Sequence, residues 1–447
     1  MQSHHTRSEH RESLVSNRNY KIWGQTISQL AKTPSRLEKP RAEYSDLEIA
    51  GYVLQEHRDD VVRLWEAFTT DRTEVSRYLM DPKRESMVYL LGFHLANQAR
   101  LAAVLDRAEY RHKLLSQISA AEAVHLMDLG CGSGALSLLT AQELWSYREA
   151  LDITWEMVDK SAAFLEMAAL GIKLLKPDAQ PVLRRQKLDE FLSREVSAGA
   201  KDGLVWYQLG YVWNEISRHA RTTQLLMRLL GNGLQKGQRV ITILEPASQE
   251  LAREAMELRD RLVEMGYVML YPCPHSQGCP MLESKRDWCY SEAVWDRPPL
   301  VKKVDRILKI DRQRIGVSGY LFVSPDLIAD GHVKLGKEGS VVVGRPVEKA
   351  SRDPLLETKS YLLCAPEVSI DKVKASRNKV ELLRGQIYRD MPDIERKPKP
   401  AEGERRPPQK ARNPSALKKK PSKSEASRTT LKVDGPRVSR SRRNDED

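Results

Sequence analysis

Along this chain the apolar positions recur first at helical spacing and then in short blocks set between helices. From Tyr44 to about Ile118, Leu47, Ala50, Val53 and Leu54, then Val61, Val62, Leu64, Trp65 and Phe68, fall three and four residues apart. That spacing places them on one face of a helix. Further helical stretches are expected from Met87 through Leu105 and from Arg107 to Ile118, and Ser45-Asp46-Leu47-Glu48 has the form of a capping box. Ahead of them, residues 1–43 are polar, carry Pro34 and Pro40, and have only Tyr20 and Trp23 as anchors; an irregular segment is expected there. From His125 the period changes. Strands are predicted at 124–129, 152–158, 181–185, 203–209, 238–245, 266–271 and 318–324. Helices are predicted at 134–148, 160–175, 187–197, 214–232 and 247–265. This alternation argues for an α/β fold whose mostly parallel sheet is covered on both faces. The expected plan is a helical domain at 44–120 and an α/β domain at 121–330 with an insertion at 271–292. A small β/α extension at 331–394 and a tail at 395–447 complete it.

The first strand of the α/β region runs into His125-Leu126-Met127-Asp128-Leu129-Gly130-Cys131-Gly132-Ser133-Gly134-Ala135. Three glycines at alternate positions allow a sharp turn and a close backbone approach to a ligand. The helix that follows presents free N–H groups at the same place. Asp128, just before the turn, is placed to orient the loop or to accept from a cationic group. The stretch resembles motif I of the class I S-adenosylmethionine-dependent methyltransferases, D-x-G-x-G-x-G. Gly130, Gly132 and Ala135 also satisfy the looser dinucleotide pattern, and a tight strand–helix turn without a ligand has the same form.

Seven strands, the last two separated by a long insertion, fit the seven-stranded, Rossmann-like methyltransferase sheet. Such sheets bind ligands at the carboxyl ends of their strands near the point where strand order reverses. Asp159, at the end of the second strand, is the candidate acceptor for ribose hydroxyls, and would equally cap the helix that starts at Ser161. Asp189, after the third strand, is a second candidate near an adenine. After the fourth strand, Gln208 and Tyr211 are candidates to border a transferred methyl group, with core packing as the competing role. The candidate cofactor set is thus Asp128, Gly130, Cys131, Gly132, Gly134, Asp159, Asp189 and Gln208. Neither an Asn/Asp-Pro-Pro-aromatic signature nor an attacking cysteine follows the fourth strand, so no residue is named as a catalytic base.

Charge adds a second theme. From Arg396 to Asp447 there are 17 Lys and Arg against 7 Asp and Glu, which is ten of the chain's surplus of twelve positive charges. From about Glu395 the sequence has no aromatic residue and has seven prolines. Such a segment buries too little apolar surface to order itself and is expected to be a disordered basic tail. Lys418-Lys419-Lys420 and Arg440-Ser441-Arg442-Arg443 can neutralise phosphates without reading sequence, or serve only to keep the chain soluble. No apolar run has the length a membrane helix needs. The N-terminus lacks the apolar region of a secretory signal, and Glu9 and Glu12 argue against a transit peptide.

Of the five cysteines, Cys131 belongs to the glycine loop and Cys273, Cys279 and Cys289 fall within 17 residues in a C-x5-C-x9-C arrangement. Cys364, in a later strand-like stretch, could supply a fourth ligand. Thiolates at this density select zinc or an iron–sulfur cluster, and the spacing leaves both open. Glu245-Pro246 with its helix, Cys273-Pro274-His275, Cys279-Pro280 and Asp287-Trp288-Cys289 resemble the methyltransferase-like family of the mitochondrial small ribosomal subunit and its bacterial relatives, over residues 75–385 or so. The resemblance implies a class I methyltransferase fold that binds S-adenosylmethionine, and a [4Fe–4S] cluster held by Cys273, Cys279, Cys289 and Cys364, with zinc as the alternative. It implies association with the small ribosomal subunit and its rRNA during assembly or translation. The chain would be monomeric apart from the ribosome and would bind no membrane. It would reside in the cytoplasm of a bacterium or the mitochondrial matrix of a eukaryote. The activity expected is one-carbon transfer to rRNA. An assembly factor that has lost transfer, and a methyltransferase of a non-RNA substrate, stay open.

Overall fold

The structure, a computed structural model, describes residues 14–69, 82–108, 111–328, 340–349, 358–364, 370–376, 384–385, 387–388 and 395–396. The basic tail beyond residue 396 lies outside the described residues.

The segment expected to be irregular instead holds a helix. α1 (Asn17–Leu30) starts on Ser16, whose hydroxyl accepts from the backbone of Asn19 at 3.1 Å. Its few apolar residues suffice because Ile22, Trp23 and Ile27 share one buried face. Trp23 Nε1 donates to the carbonyl of Leu90 at 2.8 Å, and Arg18 donates to the carbonyl of Leu175 at 2.9 Å. The capping box forms: Ser45 opens α2 (Asp46–Glu56), and its backbone donates to Glu48 at 2.8 Å. α3 (Arg58–Thr69) follows. α4 (Pro82–Tyr89) continues through a π turn at Leu90–His94 into α5 (Leu95–Arg107), and α6 (Arg111–Ala120) leads to the sheet.

The α/β region alternates β1 (Ala123–Leu129), α7 (Ala135–Tyr147), β2 (Asp152–Asp159), α8 (Ala162–Leu175), β3 (Val182–Arg185), α9 (Leu188–Ala198) and β4 (Leu204–Gly210). A short α10 (Trp213–Ile216), then α11 (Ala220–Leu234), β5 (Arg239–Glu245), α12 (Gln249–Glu264) and β6 (Val268–Tyr271) follow. The single helix expected at 214–232 is therefore two. Glu245 at the end of β5 accepts from the backbone of Trp213 at 2.8 Å and from Asn214 Nδ2 at 2.7 Å, which ties the first turn to the sheet. β7 (Ser291–Val294), α13 (Pro299–Leu308) and β8 (Arg314–Val323) complete the region; β8 begins four residues earlier than the pattern suggested.

The strand order is β3-β2-β1-β4-β5-β8-β6, with β7 pairing to β8 as an eighth strand. β3, β2, β1, β4 and β5 are parallel, and β8 runs antiparallel between β5 and β6. Every residue of β5 is buried, the mark of a central strand covered on both faces. This is the α/β arrangement of the class I methyltransferases, and strand order reverses between β1 and β4. A crevice at their carboxyl ends is where such a sheet takes ligands.

A second, antiparallel sheet contains β9 (Ser340–Lys349), β10 (Thr358–Cys364) and β11 (Ile370–Ser376), flanked by two-residue strands at Ile387–Tyr388 and Glu395–Arg396. Cys364 ends β10, opposite Val341 and Ile370.

Candidate functional site

Beyond β1 the chain turns through Gly130, Gly132 and Gly134 at φ of 72°, 49° and 72°. Side chains rarely adopt this left-handed region. The backbone N–H groups of Gly130 and Cys131 donate to the carbonyl of Val158 at 2.8 and 3.0 Å, which fastens the loop to β2. Two of the glycines are packed from behind. A Cβ on Gly130 would lie 2.2 Å from Val212 Cγ2, and one on Gly134 would lie 2.9 Å from Ala168 Cβ. Gly132 differs: a Cβ there would meet only Tyr89 Cε1, at 4.0 Å. This is the open side of the loop, a cradle that a side chain would fill.

Asp159 closes that cradle. Its carboxylate accepts from the backbone of Gly132 at 3.0 Å and of Ser161 at 2.8 Å, one donor on each oxygen. Each oxygen keeps a lone pair for a further donor such as a hydroxyl. Burial raises the Asp159 pKa, opposed by these backbone donors. Asp189 lies in the first turn of α9, half-buried.

Two candidates sit under the loop rather than on it, and a third, Cys131, is on the loop with its side chain buried. Asp128 is 2% exposed and accepts from Ser137 Oγ at 2.7 Å; burial pushes its pKa up to about 7. It braces the first turn of α7 from within the core and is not available to a cation in the crevice. Gln208 is fully buried and donates to Thr140 Oγ1 at 2.6 Å, so it joins β4 to α7 instead of bordering a methyl group. Of its two expected roles Asp128 thus takes the loop-orienting one, and Gln208 takes the competing role of core packing, because their strand positions face the helix layer. Cys131 is buried in the core between the sheet and α7. Tyr211 stands at the carboxyl end of β4 in the left-handed region at φ 63°, with the guanidinium of Arg100 6.0 Å from its ring centre.

The helical segment contributes residues that periodicity did not single out. Asn97 Nδ2 donates to the Tyr89 hydroxyl at 3.1 Å, and Arg100 donates to Asn97 Oδ1 at 3.0 Å and to the carbonyl of Gly316 at 3.1 Å. His94, in the π turn, places Nδ1 2.8 Å from Ser133 Oγ. The extra residue of a π turn shifts the side-chain register, and such turns gather at functional sites. A helical count that assumes 3.6 residues per turn steps past them.

At the carboxyl ends of β4 and β5, groups that could serve in proton transfer are held by the fold. Glu245 is fully buried, and burial pushes its pKa up to about 8, opposed by its donors Asn214 and Trp213. Asn214 also donates to the carbonyl of Tyr211 at 2.9 Å. Trp213 is 2% exposed, its indole donating to the carbonyl of Glu254 at 3.0 Å.

A second feature lies where α12, the loop after β6, β8 and β10 meet. Cys273, Cys279, Cys289 and Cys364, four distant positions, line one cavity with Arg259 and Tyr320. Cys364 Sγ is 3.4 Å from His275 Nε2. Burial and the neighbouring Cys273 push Cys279 up to about 12, and burial pushes Cys289 well above the ordinary thiol range. Among the described residues, no three His, Cys, Asp or Glu side chains form a group that could hold a metal ion. The structure thus gathers the four predicted cysteines around one cavity without drawing them onto one point. The donor set is that of a four-thiolate centre, and one buried polar atom at its edge, Arg259 Nε, has no hydrogen-bond partner.

Among the described residues no helix is long and apolar enough to cross a membrane. Comparison with known proteins gives one family: the family model described as mitochondrial small ribosomal subunit Rsm22 matches residues 83–318, just over half of the chain. No curated protein matches. Solved structures similar to the chain include an rRNA methylase from Streptococcus thermophilus, at 11% identity over 47% of this chain and 92% of that one, with a TM-score of 0.27. Precorrin 8W decarboxylase from Methanobacterium thermoautotrophicum aligns at 13% identity over 48% and 88%, with a TM-score of 0.27. An S-adenosylmethionine-dependent O-methyltransferase from Thermotoga maritima aligns at 13% identity over 47% and 62%, with a TM-score of 0.24.

Proposed function

The chain belongs to the Rsm22 family, and from that premise we propose that it is an S-adenosylmethionine-binding protein of methyltransferase fold that associates with the small ribosomal subunit and acts in its assembly or in translation. The observation that carries the cofactor reading is the cradle at Gly132, open in front and closed at one side by Asp159. In this reading Gly130, Gly132 and Gly134 hold the backbone close to the cofactor, and the two Asp159 oxygens accept from ribose hydroxyls. Asp128 and Gln208 keep the loop and α7 in register from below. Tyr89, Asn97 and Arg100 bound the crevice from the helical side and order its mouth. S-adenosylmethionine, when bound, supplies an electrophilic methyl group. In a eukaryote the mitochondrial matrix follows from the family, in a bacterium the cytoplasm, and the basic tail would contact rRNA phosphates.

We also propose that Cys273, Cys279, Cys289 and Cys364 hold a [4Fe–4S] cluster. A tetrahedral zinc brings its sulfurs to about 2.3 Å from one centre, whereas a four-iron cluster takes one thiolate at each of four corners. Four cysteines lining one cavity offer one thiolate for each corner of such a cluster, with zinc as the alternative. Such a centre would fasten β10 and its sheet to α12 and the loop after β6, through Cys364.

A second reading, an assembly factor without methyl transfer, is favoured by the engaged groups after β4. Asn214 and Glu245 hold one another, and Trp213 is packed away. Calorimetric titration with S-adenosylmethionine tests the cofactor reading; absence of binding overturns it. Incubation of anaerobically purified protein with small subunits and methyl-labelled cofactor then separates the two. Label in rRNA supports an enzyme, and binding without label supports the assembly factor.

A further inference from the structure

The four-cysteine cavity has a positive wall. Arg259, on α12, has a side chain that is 0% exposed, and it lines the cavity together with the cysteines. Its terminal nitrogens are engaged: one donates to Asp260 Oδ1 at 2.7 Å and to the carbonyl of Gln277, the other to the carbonyl of His275 at 2.8 Å. Asp260 in turn accepts the backbone N–H of Cys279, at 3.1 and 3.0 Å to its two oxygens. The pair therefore clasps the loop between the first two cysteines from both ends. Only Nε is left, buried and without a partner. A buried donor with no acceptor is costly; Asp260 already meets the charge of the guanidinium at 2.7 Å, so Nε is the atom left unsatisfied. The other groups at the cavity include Met256, Met281 and Tyr320, which bring no negative charge. Among the acceptors at the cavity, the cysteine sulfurs are the ones that become anionic on ligating metal.

We infer that Arg259 is a positioning residue for a cluster held by the four cysteines: its Nε–H donates to a sulfur on the cavity side, and its fixed charge offsets the negative charge of the bound centre. The inference rests on the iron–sulfur reading above. Outer partners of this kind orient ligands and tune the metal. A nearby cation favours the more reduced, more negative state of a cluster, and a nearby anion disfavours it.

The test uses the full chain, reconstituted anaerobically with ferrous iron and sulfide, as wild type, R259Q, R259K and D260N. Iron and acid-labile sulfide are counted, the midpoint is read optically during titration with dithionite, and iron loss to a chelator is timed. R259Q is expected to lower the midpoint and to weaken iron retention about tenfold. D260N, which loosens the same clasp but removes a negative charge, is expected to raise the midpoint. R259K keeps the charge and is expected to hold the midpoint nearer wild type than R259Q does. Opposite shifts in R259Q and D260N are what a purely structural clasp would not give. Where R259Q retains no iron, the raised midpoint of D260N and the near-native one of R259K carry the test. Equal shifts of one sign in R259Q and D260N, or a native midpoint in R259Q, overturn the inference. A wild-type protein that takes up neither iron nor sulfide overturns the cluster reading instead.

Discussion

His94 Nδ1 lies 2.8 Å from the hydroxyl of Ser133, and both side chains are buried. One contact thus bonds the π turn of the helical segment to the glycine loop 39 residues on. Burial lowers the His94 pKa to about 3, so the imidazole is neutral at any working pH and the bond is one between neutral groups. Replacing His94 with Leu leaves the Ser133 hydroxyl buried without its partner. The expected loss is about 1–3 kcal/mol of unfolding free energy, with a parallel weakening of S-adenosylmethionine affinity as the loop loosens. Urea denaturation and calorimetric titration check the two effects. A variant with unaltered affinity would show that the helical segment is dispensable for the crevice.

The glycines are not equivalent, and alanine substitutions separate them. Each pays the left-handed backbone penalty of about 1–2 kcal/mol. At Gly130 the new Cβ also meets Val212 at 2.2 Å, so G130A is expected to lose further stability and to shift the loop. At Gly132 the Cβ enters the open cradle, so G132A is expected to keep more stability than G130A and yet to lose measurable cofactor binding. Thermal unfolding beside titration of each variant distinguishes the two patterns.

Asp159 is the side chain on which the cradle turns. D159N keeps one carbonyl oxygen for a backbone donor and loses the second acceptor and the charge. Affinity for S-adenosylmethionine should fall about tenfold or more, equivalent to roughly 1.4 kcal/mol. Native-like circular dichroism in the same variant would place the effect in binding and not in folding.

Two buried acids set a pH dependence. Burial raises Asp128 to about 7 and Glu245 to about 8, above the values near 4 of carboxyls in an unfolded chain. Between those limits the folded state binds more protons than the unfolded state. Stability therefore falls as pH rises from about 4, and the fall is complete only above the folded values, near 7 and 8. D128N and E245Q carry no titrating group there and should each flatten the profile over its own window. Denaturation midpoints taken across pH 4–9 in steps test the sign directly.

The glycine loop, the alternation of strands and helices, and Asp159 were legible because each leaves a local mark: three glycines at alternate positions, a change of period, an acid at a strand end. The four cysteines were legible as a set, although the convergence of Cys364 with the others depends on how the second sheet packs, which spacing does not encode. Which of its alternative roles Asp128 or Gln208 takes was not legible, because a strand residue's face is fixed by the layer it meets, and the sequence shows only that both are polar. α1 was missed because Ile22, Trp23 and Ile27 are too few to make a pattern alone; they become one on a face buried against the π turn and α8. Asn97 and Arg100 were hidden by the register shift of the π turn, which follows Tyr89, and Arg259 by lying on an ordinary amphipathic helix among other charges.

The central claim is that this chain carries S-adenosylmethionine in the Gly132–Asp159 cradle and does so on the small ribosomal subunit. The most direct test is sedimentation of anaerobically purified protein with immature small subunits through a sucrose gradient containing radiolabelled S-adenosylmethionine, in parallel with D159N. The account predicts that wild-type protein and label travel together in the subunit fraction, and that D159N reaches the same fraction with little label. Wild-type protein that stays at the top of the gradient, or that sediments with the subunit without label at saturating cofactor, would contradict it.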